Sequence, residues 1–108
     1  MTATITKKAG LFTIINVATT TPENQSTLFE AVSGLADRMK NSPGFVSASV
    51  HRSHDGTRII GYAQWESKEH FEAMRARTDL GDGFKVVREL TSDFLPITCQ
   101  VAYTHDGE

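Results

Sequence analysis

Pro43-Gly-Phe45-Val-Ser-Ala-Ser-Val-His51-Arg-Ser-His54-Asp55-Gly56-Thr57-Arg58-Ile-Ile-Gly61-Tyr62-Ala-Gln-Trp65-Glu-Ser67 is the stretch on which the fold turns. Asp55-Gly56 divides two runs rich in β-branched and aromatic residues, and a glycine there tolerates the positive φ of a hairpin turn. Strands are therefore expected over Phe45–Ser53 and Arg58–Trp65. Ser67 offers a hydroxyl oxygen to the unpaired amides of a following helix, which should run to about Arg77 with Phe71 and Met74 facing inward. The only tryptophan of the chain thus stands just before a strand-to-helix junction, a good position for one wall of a pocket.

Upstream, Leu11–Ala18 (Leu-Phe-Thr-Ile-Ile-Asn-Val-Ala) reads as a strand, and Thr21 with Pro22 as the cap and first position of a helix. Leu28, Val32, Leu35 and Met39, flanked by Phe29 and Ala36, recur at helical spacing and form one apolar stripe. Asn41-Ser42-Pro43-Gly44 ends that helix. Downstream, Thr78–Gly83 carries two glycines and two aspartates and reads as a loop able to act as a lid. Phe84, Val87 and Leu90 imply a short third helix, and Pro96–Thr104 a last strand. Residues 1–10 and 105–108 read as frayed tails of a single domain spanning 1–108.

The order strand, helix, strand, strand, helix, short helix, strand is that of an α+β, ferredoxin-like βαββαβ domain with a four-stranded antiparallel sheet. Two long helices cover one face of such a sheet. The first strand is apolar on both sides, Phe12 and Ile14 against Leu11, Ile15 and Val17, so its second face calls for a partner, and a symmetric homodimer is expected.

Composition narrows the function. The 108 residues carry a net charge of −2 and no cluster of Lys or Arg, which speaks against a nucleic-acid binder. Lys7 and Lys8 are followed by no apolar run long enough for a signal peptide or a membrane span. A single cysteine, Cys99, gives no internal disulfide framework, and a reduced cytoplasmic setting is the simplest expectation. Neither a Gly-rich dinucleotide fingerprint nor a convincing metal-ligand spacing is present. His51 and His54 straddle the hairpin turn, where their side chains diverge.

Gly-Phe-x-Ser-Ala, His-x-Ser-x-Asp-Gly-Thr and Tyr-Ala-Gln-Trp-Glu-Ser, in this order and spacing, resemble the antibiotic biosynthesis monooxygenase family of dimeric α/β barrels. The likeness is nearest to its small cofactor-independent members that oxidise polyketide anthrones to quinones. It implies a cofactor-independent monooxygenase acting with O2 on a small aromatic or polyketide-derived phenol or anthrone, with no cofactor and no metal. The same superfamily includes haem-degrading enzymes and members with no known activity, so two alternatives stand: a haem-binding or haem-degrading relative, and a non-catalytic dimeric barrel that binds a small hydrophobic aromatic ligand.

The candidate catalytic residues are Trp65, Asn16 and His51. Trp65 is a cavity wall and indole N–H donor, or else a core residue. Asn16 places an amide among Ile14, Ile15, Val17 and Ala18, where burial without partners costs about 1–3 kcal/mol, so it bonds something specific, lines a cavity or lies at an exposed edge. The resemblance to haem-degrading relatives implies the pocket-lining role. His51 is either a proton acceptor near neutral pH or a strand histidine bonded at the dimer interface. The candidate substrate-binding residues are Tyr62, Phe71, Met74, Arg75 and Arg88; the arginines, with Arg77, can offer a cation to a phenolate or simply form a solvated face. By strand alternation Tyr62 and Gln64 point away from the face of Trp65.

The chain also departs from the pattern it resembles. Gly61 stands where anthrone oxidases carry an Asn and Phe71 where they carry a Tyr, which implies a roomier and less polar pocket. Arg75 stands where a haem-degrading relative would carry an iron-binding His.

Overall fold

The computed structural model describes residues 10–105 and 107; the greater part of the tails expected to fray lies outside these described residues. The elements are β1 (Phe12–Thr19), α1 (Gln25–Met39), β2 (Phe45–Arg52), β3 (Arg58–Trp65), α2 (Lys68–Arg75), a 3₁₀ turn (Thr78–Leu80), α3 (Gly81–Leu90) and β4 (Asp93–Cys99). The strands form one antiparallel sheet in the order β2-β3-β1-β4. This is the expected ferredoxin-like α+β architecture. Leu28 and Leu35 of α1, Phe71 and Met74 of α2, and Val87 of α3 close over Ile14, Ala18, Ile59 and Trp65 in one core.

Local chemistry explains the corners. Ser67 is the N-cap of α2, its hydroxyl accepting from the His70 amide at 3.2 Å. Gly44 has φ +82°, and a Cβ there would overlap the His70 ring, so glycine serves both the turn and the packing of α2. The hairpin turn is wider than a two-residue loop: Ser53 N donates to Arg58 O at 3.1 Å, enclosing His54–Thr57. Within it Gly56 has φ +79° and Asp55 bonds Ser53 and Thr57. Gln25 Nε2 reaches across to Ser53 O and Arg58 O at 3.0 and 3.1 Å and ties α1 to the turn.

Three expectations are corrected. Helix α1 starts at Gln25, and Thr21 does not cap it. Asn24 N donates to Thr21 O at 3.0 Å, closing a turn around Pro22, whose fixed φ suits a turn as well as a helix start. Residues 78–83 are not a loop: Leu80 is fully buried, and Gly81–Gly83 form the first turn of α3. A Cβ on Gly83 would lie 2.5 Å from Leu35 Cδ2, so this glycine allows α3 to approach α1. Arg77 fixes the same corner, donating to both Asp79 oxygens and to Ser42 Oγ at 2.7 Å, while Arg38 donates to the Asp79 carbonyl. The last strand begins three residues early, at Asp93, and ends at Cys99. It is an edge strand, which tolerates the missing donor of Pro96 in its middle.

An irregularity between Phe45 and Ser47 shifts the register of β2 by one, so His51 pairs with Ile60 and lies on the face of the sheet opposite Trp65, the face of the interface alternative.

Candidate active site

Strand pairing gathers the helix-facing residues into rows. Trp65 lies between Phe45 and Phe12, Ala63 between Ala48 and Ile14, Gly61 between Val50 and Asn16, and Ile59 between Arg52 and Ala18. On the far side of Asn16 stands Pro96 of β4. Along β3 the two smallest side chains are thus framed by Ile59 and Trp65, both 1 % exposed. Four residues of strand separate the rows of Trp65 and Asn16, about 13 Å at about 3.3 Å per residue.

Aromatic rings build one end. Trp65 meets Phe45 edge-on at 5.4 Å and Phe71 at 6.2 Å, and Phe71 lies 5.3 Å from Phe12. Such edge contacts match the positive rim of one ring to the negative face of another. The Arg75 guanidinium sits 5.7 Å over the Phe71 ring. Arg75 and Arg88 are both exposed, and neither has a carboxylate partner among the described residues.

The polar inventory of this face is short. Asn16 is half-buried, and its amide makes no hydrogen bond with the described residues; the same holds for the Trp65 indole N–H. The Asn16 amide therefore stays available beside an apolar floor that the buried Trp65 ring closes at one end. Donors already in place where negative charge develops are worth more in a dry site than in water.

The other candidates fall elsewhere. His51 is exposed on the outer face of the sheet, 3.3 Å from Ser49 Oγ. Tyr62 also lies on the outer face, as alternation requires; burial pushes its phenol up, the neighbouring Cys99 adds to this, and a hydrogen bond with Thr13 opposes it. Met74 is a core residue, 3 % exposed. With His70, Arg77 and the Asn41–Pro43 loop it lines a separate groove of about 250 Å³ between that loop and α2. His70 is held there by its own cap, Nδ1 lying 2.7 Å from Ser67 Oγ. Arg77 is spent on Asp79 and Ser42, and its guanidinium holds the Asp79 carboxyl below the usual range.

Sequence reading missed Phe12, Ala63 and Pro96 as neighbours of the site. Their membership follows from cross-strand pairing, which no local signal encodes; only the period-two spacing of Phe12, Ile14 and Asn16 hinted at a shared face.

Residues 11–86 match the family described as Antibiotic biosynthesis monooxygenase. Tetracenomycin-F1 monooxygenase of Streptomyces glaucescens is 39 % identical over 103 residues, covering 94 % of this chain and 91 % of that protein. SnoaB of Streptomyces nogalater, a cofactor-independent oxygenase solved in a mutant form, superimposes with a TM-score of 0.76 at 20 % identity, over 89 % of this chain and 97 % of its own. A candidate antibiotic biosynthesis monooxygenase from Nitrosomonas europaea gives a TM-score of 0.79 at 14 % identity, over 92 % of this chain and 97 % of its own. The two structural likenesses carry the fold.

Proposed function

The chain belongs to the antibiotic biosynthesis monooxygenase family, and on that premise we propose that it oxidises a polyketide-derived phenol or anthrone with O2, without a cofactor, as a cytoplasmic homodimer. The observation that carries this reading is the unpartnered, half-buried Asn16 amide beside an apolar floor closed at one end by the Trp65 ring.

The chemistry explains why so little machinery suffices. The central methylene of an anthrone is acidic because its carbanion is delocalised over the fused rings. That anion can itself pass electrons to O2, and the net change, CH2 plus O2 giving C=O plus H2O, consumes no other reductant. The protein has to orient the rings, exclude water and stabilise charge on oxygen. Trp65, Phe71 and Phe12 supply the aromatic wall. Asn16 supplies an amide donor to an enolate or peroxide oxygen, and Arg75 and Arg88 stand as cations for a phenolate at the mouth. The name of the Streptomyces glaucescens relative supports a polyketide substrate.

Assembly belongs to the same reading. The outer face of the sheet carries Ile15, Val17 and Ile60 beside Leu95 and Ile97, the last two 51 % and 41 % exposed. A second copy laid sheet to sheet would bury them.

Oxygen uptake tests the function. Chelator-treated protein mixed with 1,8-dihydroxyanthrone should consume one O2 per quinone formed, faster than the anthrone alone, and Trp65→Phe should lose most of the acceleration. No acceleration with any anthrone or hydroquinone would sink the proposal.

A further inference from the structure

We propose that Gly61 is the specificity-determining residue of this site: its missing side chain leaves a shelf on which the rings of a broad, flat, fused aromatic substrate lie beside the Asn16 amide. The inference rests on the oxygenase reading for its substrate class. Its evidence is independent of that reading.

Three glycines of the folded region have a structural reason to be glycine, whereas Gly34 and Gly81 sit in helices with nothing within 4 Å of where a Cβ would stand. Gly44 and Gly56 have positive φ, and Gly83 faces Leu35 at a distance no Cβ could keep. Gly61 has neither reason. Its φ is not positive, and a Cβ there would meet only the Cβ and Nδ2 of Asn16, both at an ordinary 3.9 Å. The position is the interior of an inner strand, paired with Val50 on one side and Asn16 on the other, and the only register shift recorded lies between Phe45 and Ser47, far along the hairpin. A glycine at such a place weakens a strand, since it fixes the most mobile backbone and packs nothing. The fold gains nothing in return.

The gain is space. No atom of α1, α2 or α3 comes within 4 Å of the point a Gly61 Cβ would occupy. Ala63, the next residue on the same face, continues the low floor toward Trp65, and Ile59 bounds it at the other end. Rings lying flat on Gly61 and Ala63 would have the indole at one end and the Asn16 amide at their edge. A valine at position 61 would occupy the shelf and crowd that amide. A substrate of two rings has room to avoid the valine by shifting toward Ala63, whereas one of three or more rings does not.

The test reads binding apart from turnover. The single tryptophan makes fluorescence quenching report on this site. The probes are 1,8-dihydroxyanthraquinone, with three rings and no reaction with O2, and 1-naphthol, with two. In Gly61→Val the thermal midpoint should equal or exceed that of the unaltered protein, because valine suits a strand. Anthraquinone affinity should fall by about tenfold or more, while naphthol affinity stays within about twofold, the scale on which extra methyl groups discriminate in a tight pocket. Gly61→Ala should show the same order with a smaller loss. Unchanged anthraquinone affinity in folded Gly61→Val overturns the proposal, as do equal losses for both probes, a lowered midpoint in both variants, or no quenching of the unaltered protein. Binding as expected without oxygen uptake would overturn the oxygenase reading and leave the role of Gly61 standing.

Discussion

The two faces of β1 and β3 are built from alternate residues of the same strands, and both are largely apolar. The helix side holds Phe12, Ile14, Asn16 and Ala18 against Ile59, Gly61, Ala63 and Trp65; the outer side holds Thr13, Ile15 and Val17 against Ile60, Tyr62 and Gln64. Their polar groups are treated in opposite ways. On the outer side Gln64 and Thr13 are fully buried and bonded to each other, Gln64 Nε2 donating to Thr13 Oγ1 at 3.2 Å. On the helix side the Asn16 amide is half-buried and unpaired. A polar group that the fold satisfies serves the fold, and one that it leaves open stays available to a ligand.

Deleting the two amides sharpens that contrast. Asn16→Ala should lower turnover of an anthrone on the order of 100-fold, the scale of losing one donor to a developing oxyanion. Its stability should change by only about 0.5 kcal/mol, because no protein hydrogen bond is lost. Gln64→Ala should do the reverse, costing about 1–3 kcal/mol in urea denaturation by removing a fully buried, hydrogen-bonded side chain, with turnover per folded molecule largely kept. Equal stability losses in the two variants would erase the distinction between the faces.

The outer face is broken differently. Leu95→Lys with Ile97→Lys adds charge to two exposed apolar positions on β4. The unaltered protein should run as a dimer by light scattering at micromolar concentration and the double variant as a monomer. A monomeric unaltered protein would leave the apolar outer face without an explanation in assembly.

How much of this was legible follows from the range of each signal. The element order came from local chemistry: the Asp55-Gly56 turn, the Ser67 cap and the helical spacing of Leu28 and Leu35 all act within a few residues. Gly81 and Gly83 misled because loop glycines and packing glycines look alike until Leu35 is seen against Gly83. Pro96 misled because an edge strand forgives a proline. The candidate site was half legible. Asn16 and Trp65 stood out as a polar group among apolar ones and as the only indole, but their common face with Phe12, Gly61 and Ala63 depends on pairing register. His51 stood open between a proton acceptor and an interface histidine, because the face it takes depends on one register shift in β2.

That dependence on register makes the hairpin turn the last place to probe. A slip of one residue in the hairpin would carry Gly61 away from Val50 and set Tyr62 in its place. Asp55 is the anchor: its Oδ1 accepts from the Thr57 hydroxyl at 2.7 Å, the Thr57 amide at 3.0 Å and the Ser53 hydroxyl at 2.8 Å. These bonds, the Thr57 hydroxyl first, hold its carboxyl down from 3.8 to about 2. A folded value below the unfolded one means that the ionised carboxylate stabilises the fold in full above 3.8, and that this contribution fades as pH falls toward and through 2. The group is fully exposed and water competes for it, so the effect is the smallest of those considered. The thermal midpoint of the unaltered protein should exceed that of Asp55→Asn by a margin that is constant above pH 4 and narrows between about 4 and about 2. A margin that held steady over that range would show that an uncharged turn keeps the register equally well, and would shift the anchoring role to Gly56 and the reach of Gln25.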